Sequence, residues 1–321
     1  MSREPKSLQD AIVYFSNRDN CIAYLAAKRW PNGVICPVCG SEKVSAFNPE
    51  RRTWKCAKHH SKREFSVKVG SLCEDSAIGL DKWLTALWML TNCKNGISSC
   101  ELARDLEVTQ KTAWFMLHRI RLALQDDSFG GKMSGEVEVD ETFIGGKARN
   151  MHLSERQRRI TGTGGKDKTV VFGMLQRDGR IRAKVLPDRK RESLQPEIRE
   201  HVHTGSALYS DEWIAYKGLE TDYQHQVVDH AMKYVDGRIH TNGLENFWAL
   251  LKRGIAGTYV SVEPFHLFRY LDEQVFRYNN RATSDNPLND SDRFSYVVTK
   301  LFGKRLTFAQ LTGKLCETPA F

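Results

Sequence analysis

Hydrophobic positions recur along this chain with two different periods, and the change from one to the other divides it. Trp83, Leu84, Leu87, Trp88 and Leu90 follow a spacing of three and four, which predicts a helix over Asp81–Cys93 that Gly96 ends. Ser98 offers a cap for a second helix carrying Leu102, Ala103 and Leu106. Thr109 caps a third, Lys111 to Leu124, with Ala113, Trp114, Leu117, Ile120 and Leu124 on one face and Lys111, His118, Arg119 and Arg121 off it. From Glu136 the period becomes two: Val137 and Val139 alternate with Glu136, Glu138 and Asp140. Thr169–Leu175 is a continuous apolar run, and a turn at residues 177–180 leads into Ile181–Leu186, which predicts a hairpin. Further expectations are a helix over 192–203, short strands at 207–210 and 226–228, and helices over 244–253 and 264–279.

Strands followed by alternating strands and helices predict a mixed sheet, so the expected class is multidomain α+β. Five segments are expected: 1–75, rich in Cys and His; 76–127, a helix-turn-helix bundle; 128–135, a Gly-rich linker; 136–300, the sheet domain; and 301–321, a tail. The longest apolar stretch, Trp83–Leu90, is far short of the ~20 residues a spanning helix needs. The polar N-terminus does not resemble a signal peptide, so a cytoplasmic location is expected.

The three metal-spaced cysteines, in a reducing compartment, read as ligands rather than disulfide partners. Cys36-Pro-Val-Cys39-Gly forms one knuckle, and Cys56-Ala-Lys-His59 supplies a second pair. Together they would close a tetrahedral structural zinc site, with His60 competing with His59 for the fourth position. Phe47, Arg51, Arg52 and Trp54 between the pairs suit a small β-ribbon. Net charge is +9, and residues 147–191 hold fourteen Lys or Arg against four acids, a local excess that suits nucleic-acid phosphates. The Thr161–Lys166 glycine loop is not a nucleotide-binding loop, because Ile160 and Asp167 stand where glycine and Ser or Thr are required. The short helix, tight turn and longer helix over 98–124 are how a recognition helix enters a major groove.

Three acids lie in positions to share two hard cations. Asp140 and Asp211 end strands, and Glu245 lies on a helix whose buried stripe is Leu244, Phe247, Trp248, Leu251 and Ile255. Lys252 is nearly two turns beyond Glu245 on the same face, about 10 Å along the axis. Carboxylates from three elements can hold paired Mg²⁺ or Mn²⁺ for phosphodiester chemistry, with Lys252 on a phosphate. Glu138, Glu141 and Glu212 read as solvated neighbours.

With these residues in view, the chain resembles the zinc-ribbon insertion-sequence transposases of the DDE type, the ISXO-like group. The resemblance rests on CPVCGS at 36–41, GLDKW at 79–83, TQKTAW at 109–114, VEVDETFIGGK at 137–147, YSDEWIAY at 209–216 and HTNGLENFWALLKRGIAGTYVSV at 240–262. It covers roughly residues 20–300. It implies a ribonuclease-H-like catalytic domain with Asp140, Asp211 and Glu245 as the acidic triad and Lys252 as its basic companion. It also implies binding of double-stranded DNA at the element's terminal inverted repeats, strand cleavage and strand transfer, and a dimer or larger assembly on DNA. Two departures matter: the usual second Cys-x-x-Cys is Cys56-x-x-His59 here, and some relatives carry Asn at the third catalytic position, which brings Asn242 and Asn246 into view. A non-catalytic DNA-binding regulator, or a structure-specific nuclease on the same fold, would share many of these features.

Overall fold

The computed structural model describes residues 4–125, 131–146, 152–154, 157, 168–177, 179–228, 240–284 and 286–314. They form two compact units, residues 1–125 with 280–321, and residues 126–279. The described residues hold no helix long and apolar enough to cross a membrane. The glycine loop at 161–166, most of the basic stretch before it and part of the 128–135 segment lie outside the described residues.

The first unit opens with two helices that the spacing argument did not anticipate, α1 (Leu8–Ser16) and α2 (Arg18–Arg29). Ser7 caps α1 through the Asp10 N–H, and Asn17 caps α2 by accepting from the Asp19 and Asn20 N–H groups. A two-stranded ribbon follows, β1 (Trp54–Lys55) against β2 (Glu64–Phe65). Then come α3 (Leu80–Asn92), α4 (Ser99–Asp105) and α5 (Gln110–Leu124), close to the expected bounds. Thr109 caps α5 through the Thr112 N–H, as its position predicts. Phe15, Tyr24 and Trp88 converge on Phe294 with ring centroids 4.9–5.8 Å apart. Phe294 belongs to α9 (Asp290–Thr299), so residues 280–300 pack here and not with the sheet domain to which their sequence position assigned them.

One expectation for α5 fails. His118, Arg119 and Arg121 are buried, and only Lys111 of the four basic positions is exposed. The C-terminal segment, expected to be a tail, folds against α5 and takes up part of Arg119. Arg119 donates to the carbonyls of Leu306, Leu72 and Glu74, Lys304 donates to those of Leu122 and Gln125, and Lys111 lies over Phe308 of α10 (Phe308–Leu311). The exposed residues of α5 are Gln110 and Lys111, both in its first turn.

The second unit is a five-stranded mixed sheet. Its strands are β3 (Glu136–Ile144), β4 (Thr169–Gln176), β5 (Ile181–Leu186), β6 (Ala207–Ser210) and β7 (Gln224–Val227), in the spatial order β5-β4-β3-β6-β7. The first three pair antiparallel, while β6 runs parallel to β3 and β7 parallel to β6. Between β5 and β6 lies α6 (Arg191–His201); after β7 come α7 (Asn242–Gly254) and α8 (Leu267–Asn279). Val137, Val139, Phe172 and Met174 pack with Leu194 and Ile198 of α6 on one face. Val171, Leu175 and Ile181 pack with Leu244, Phe247, Trp248 and Leu251 of α7 on the other. Because both faces are covered, β4 is apolar without alternation, whereas β3 places Val137 and Val139 toward α6 and Glu136, Glu138 and Asp140 toward α7.

Candidate functional site

The pairing of β3 with β6 sets the site. Glu138 is opposite Tyr209, and carrying that parallel register two residues further puts Asp140 level with Asp211 on the neighbouring chain segment. Adjacent strands are ~4.8 Å apart, so the two carboxylates are neighbours. Asp140 is not at the end of its strand, as the spacing suggested: β3 continues to Ile144 along β4, and what ends beside Asp140 is β6. The Asp211 carboxylate accepts from the Trp213 N–H at 3.0 Å.

Gly173 is the partner of Asp140 on β4. A Cβ there would lie 2.7 Å from the Trp248 ring and 2.9 Å from Leu244, so the missing side chain opens the slot into which α7 settles. Through that slot the Trp248 indole N–H donates to Asp140 Oδ2 at 2.9 Å. At about 100° per residue, Glu245 and Lys252 stand about 60° and 40° from Trp248 around α7, whereas Asn246 is nearly opposite it and Asn242 about 120° away. Glu245 is half-buried; Asn242, Asn246 and Lys252 are exposed.

The acids beside these are less bland than expected. Glu138 is buried, receives Arg177 Nε at 2.9 Å, lies 3.5 Å from His240 Nδ1, and accepts from the Leu244 N–H at 3.1 Å in the first turn of α7. It fixes the helix that carries Glu245, using the positive end of the helix dipole. The signal was present in the alternation, since residue 138 shares the α7 face with Asp140. Glu141 faces the other side of the strand, as expected, but is half-buried and accepts from the Tyr216 hydroxyl at 2.5 Å. Glu212 is exposed as expected.

Burial raises the Asp140 carboxyl from an ordinary 3.8 to about 7; the Trp248 N–H opposes the rise, and Glu141 and Asp211 add to it by charge repulsion. Burial likewise raises Glu141. Asp140, Asp211 and Glu245 do not fall within 4.8 Å of one another as a set. A pair of ions ~3.5–4 Å apart does not require that, because ligands on opposite ions lie farther apart than those on one. An all-oxygen, under-neutralised cluster is the donor set that hard cations take.

In the ribbon unit Gly40, with φ +68°, turns the knuckle so that its N–H returns to the Cys36 carbonyl at 2.9 Å. Cys36, Cys39, Cys56 and His60 place their ligand atoms within 4.8 Å of one another. Cys39 and Cys56 sulfurs are 3.6 Å apart, and Cys36 Sγ is 3.4 Å from His60 Nε2. Tetrahedral Zn–S bonds of ~2.3 Å require sulfur separations of about 3.8 Å, so the residues fit zinc. The fourth position is His60 and not His59, which is exposed. Cys56 is tied by its N–H to the Arg63 carbonyl at 2.8 Å. A second cluster, Glu197, Glu200 and His201 on α6, is already answered by Lys184 at 2.6 Å from Glu197 and by Arg182 at 3.2 Å from His201.

Both centres coincide with known sequence families. The profile of the ISXO2-like transposase domain matches residues 132–279, and that of the transposase zinc-ribbon domain matches residues 16–60. A transposase-like protein of Haemophilus influenzae is 30% identical over 97 residues, which cover 30% of this chain and 78% of the relative. A protein of the transposable element ISH50 of Halobacterium salinarum is 29% identical over 255 residues, 72% of this chain and 81% of the relative. The chain belongs to the ISXO2-like transposase family.

In this transposase the raised Asp140 carboxyl makes a prediction about stability. Folding holds a proton on Asp140 up to about pH 7, whereas the unfolded chain releases it near 3.8. The folded state therefore binds more protons between those values, and stability is lost as pH rises through that window. Asp140→Asn removes the loss. In magnesium-free buffer the variant should exceed the parent by roughly 2–4 kcal/mol at pH 8 and match it at pH 4. Denaturant melts at the two pH values check this, and equal differences at both would contradict it.

Proposed function

We propose that this transposase is a metal-dependent DNA strand transferase. It binds the terminal inverted repeats of its own element, hydrolyses one strand at each end, and joins the freed 3′-OH to target DNA. The strand order, with three antiparallel strands followed by two parallel ones and helices on both faces, supports a ribonuclease-H-like catalytic domain. The observation that carries the reading is the register that brings Asp140 level with Asp211 while Trp248 ties α7 to Asp140.

Asp140 and Asp211 would hold the cations between them, and Glu245 would complete the second position from α7. Two Mg²⁺ ions, when bound, would activate the attacking oxygen and stabilise the leaving one. Lys252, two turns along from Glu245 and exposed, would hold a phosphate oxygen of the DNA. Glu138 and Arg177 keep α7 in place, and Trp248 orients Asp140. Glu245 is preferred to Asn242 or Asn246 because it shares the Trp248 side of α7 and because a carboxylate binds magnesium better than an amide. In the other unit, Gln110, Lys111 and Thr112 at the open end of α5 would read the major groove, as in a helix-turn-helix, beside the zinc ribbon. Two element ends must be processed together, so a dimer or larger assembly on DNA is part of the proposal.

Purified protein incubated with a linear DNA ending in the element's own repeats, in Mg²⁺ or Mn²⁺, should nick at the repeat boundary and yield joined products. Binding without nicking would favour the regulator. Nicking without joining would favour a structure-specific nuclease.

A further inference from the structure

Arg189 lies in the loop between β5 and α6, where its carbonyl accepts the Trp213 indole N–H at 3.0 Å. Its guanidinium is 3.7 Å from the Trp213 ring centroid and 5.5 Å from that of Phe143. Both residues lie beside the acids: Trp213 is two residues past Asp211 and its backbone N–H donates to that carboxylate, and Phe143 is two residues past Glu141 on the same face of β3. Arg189 is close enough to Glu141 to favour its charged form.

We infer that Arg189 is a phosphate-binding residue of the active site, gripping a non-bridging oxygen of the DNA backbone beside the acidic cluster. The inference rests on the strand-transfer reading above. Three other arginines of this unit are committed: Arg177 to Glu138, Arg199 to Asp222, and Arg182 to His201. The Arg189 guanidinium is instead held by ring faces, although the Glu141 carboxylate is near. Stacking fixes the plane of the guanidinium while leaving its edge of N–H donors open, and that edge matches a phosphate. An ion pair with Glu141 would neutralise the acids and occupy those donors; Glu141 is answered by the Tyr216 hydroxyl instead. Arg189 approaches the acids from the α6 face of the sheet and Lys252 belongs to the α7 face, so the two cations would bracket a backbone crossing the strand ends.

The test uses full-length protein and repeat-ended DNA carrying a single neutral methylphosphonate, moved in turn through the phosphates flanking the cleavage site. Arg189→Gln should lower cleavage roughly 10–100-fold, the usual cost of a lost charge-assisted hydrogen bond, and Arg189→Lys less. At one position the methylphosphonate should cost the parent a similar factor and the Arg189→Gln variant nothing more. A loop clamp without phosphate contact would leave the two penalties independent. Identical methylphosphonate penalties in parent and both variants, or unchanged cleavage by Arg189→Gln, overturns the inference and leaves the strand-transfer reading standing. A parent that cleaves no DNA in either metal brings down both.

Discussion

Asp140→Asn should abolish strand cleavage while leaving repeat binding intact. The substitution keeps the shape of the side chain and an acceptor for the Trp248 indole, and removes the charge together with the second acceptor, which now takes the Glu141 N–H. Losing one carboxylate from a shared cation pair forfeits several kcal/mol of transition-state stabilisation, on the order of 10³-fold or more in rate. Asp211→Asn and Glu245→Gln should fall in the same class. Glu141→Gln should cost less than about tenfold, because Glu141 lies on the opposite face of β3 and is engaged with Tyr216. Asn246→Ala, on the far side of α7, should be close to neutral. Cleavage by electrophoresis, and equilibrium binding measured without metal, separate the outcomes. Retained cleavage by Asp140→Asn would reject the assignment, and an Asn246→Ala loss matching that of Asp140→Asn would move the third position off Glu245.

How far such a site can be read from sequence depends on whether each contact is local. The hairpin of β4 and β5 and the stripe of α7 were legible because period and turn chemistry are properties of neighbouring residues. The level placement of Asp140 and Asp211 was not, since parallel pairing across some seventy intervening residues leaves no mark on either segment. Gly173 shows the same limit: it reads as one more small residue in an apolar run, yet it admits Trp248 to Asp140. Glu138 could have been found, because it alternates in phase with Asp140 toward a covered face. The burial of Arg119 on α5 could not, because its partners, Leu72, Glu74 and Leu306, lie far from it along the chain. The N-terminal helices α1 and α2 were legible in principle, because Ala11 and Phe15, and Cys21, Ile22 and Leu25, keep a helical spacing of the kind that marks α3.

Zinc should prove as decisive for the ribbon as the acids are for cleavage. β1 and β2 contribute two residues each, and isolated two-stranded ribbons are marginal in water. Trp30, Trp54, Phe47 and Phe65 supply a small aromatic cluster, but too little to hold three thiols in such proximity without a cation. Backbone N–H groups of Cys39 and Val38 hold the Cys36 thiol low against its burial, whereas burial and the neighbouring sulfurs raise Cys56, so the three thiols ionise together only when a cation offsets their charge. Structural zinc in such sites contributes ~10–16 kcal/mol at neutral pH, which here is mostly folding free energy of the ribbon. Purified protein should carry one zinc per chain by elemental analysis. Cys36→Ser should lose it, together with the protection of ribbon amides from hydrogen exchange, while amides of the β3–β5 sheet stay protected. His60→Ala should weaken zinc by orders of magnitude and His59→Ala should not. A zinc content unaffected by His60→Ala, or ribbon amides that remain protected after the metal is stripped, would show that this fold does not depend on the Cys₃His site.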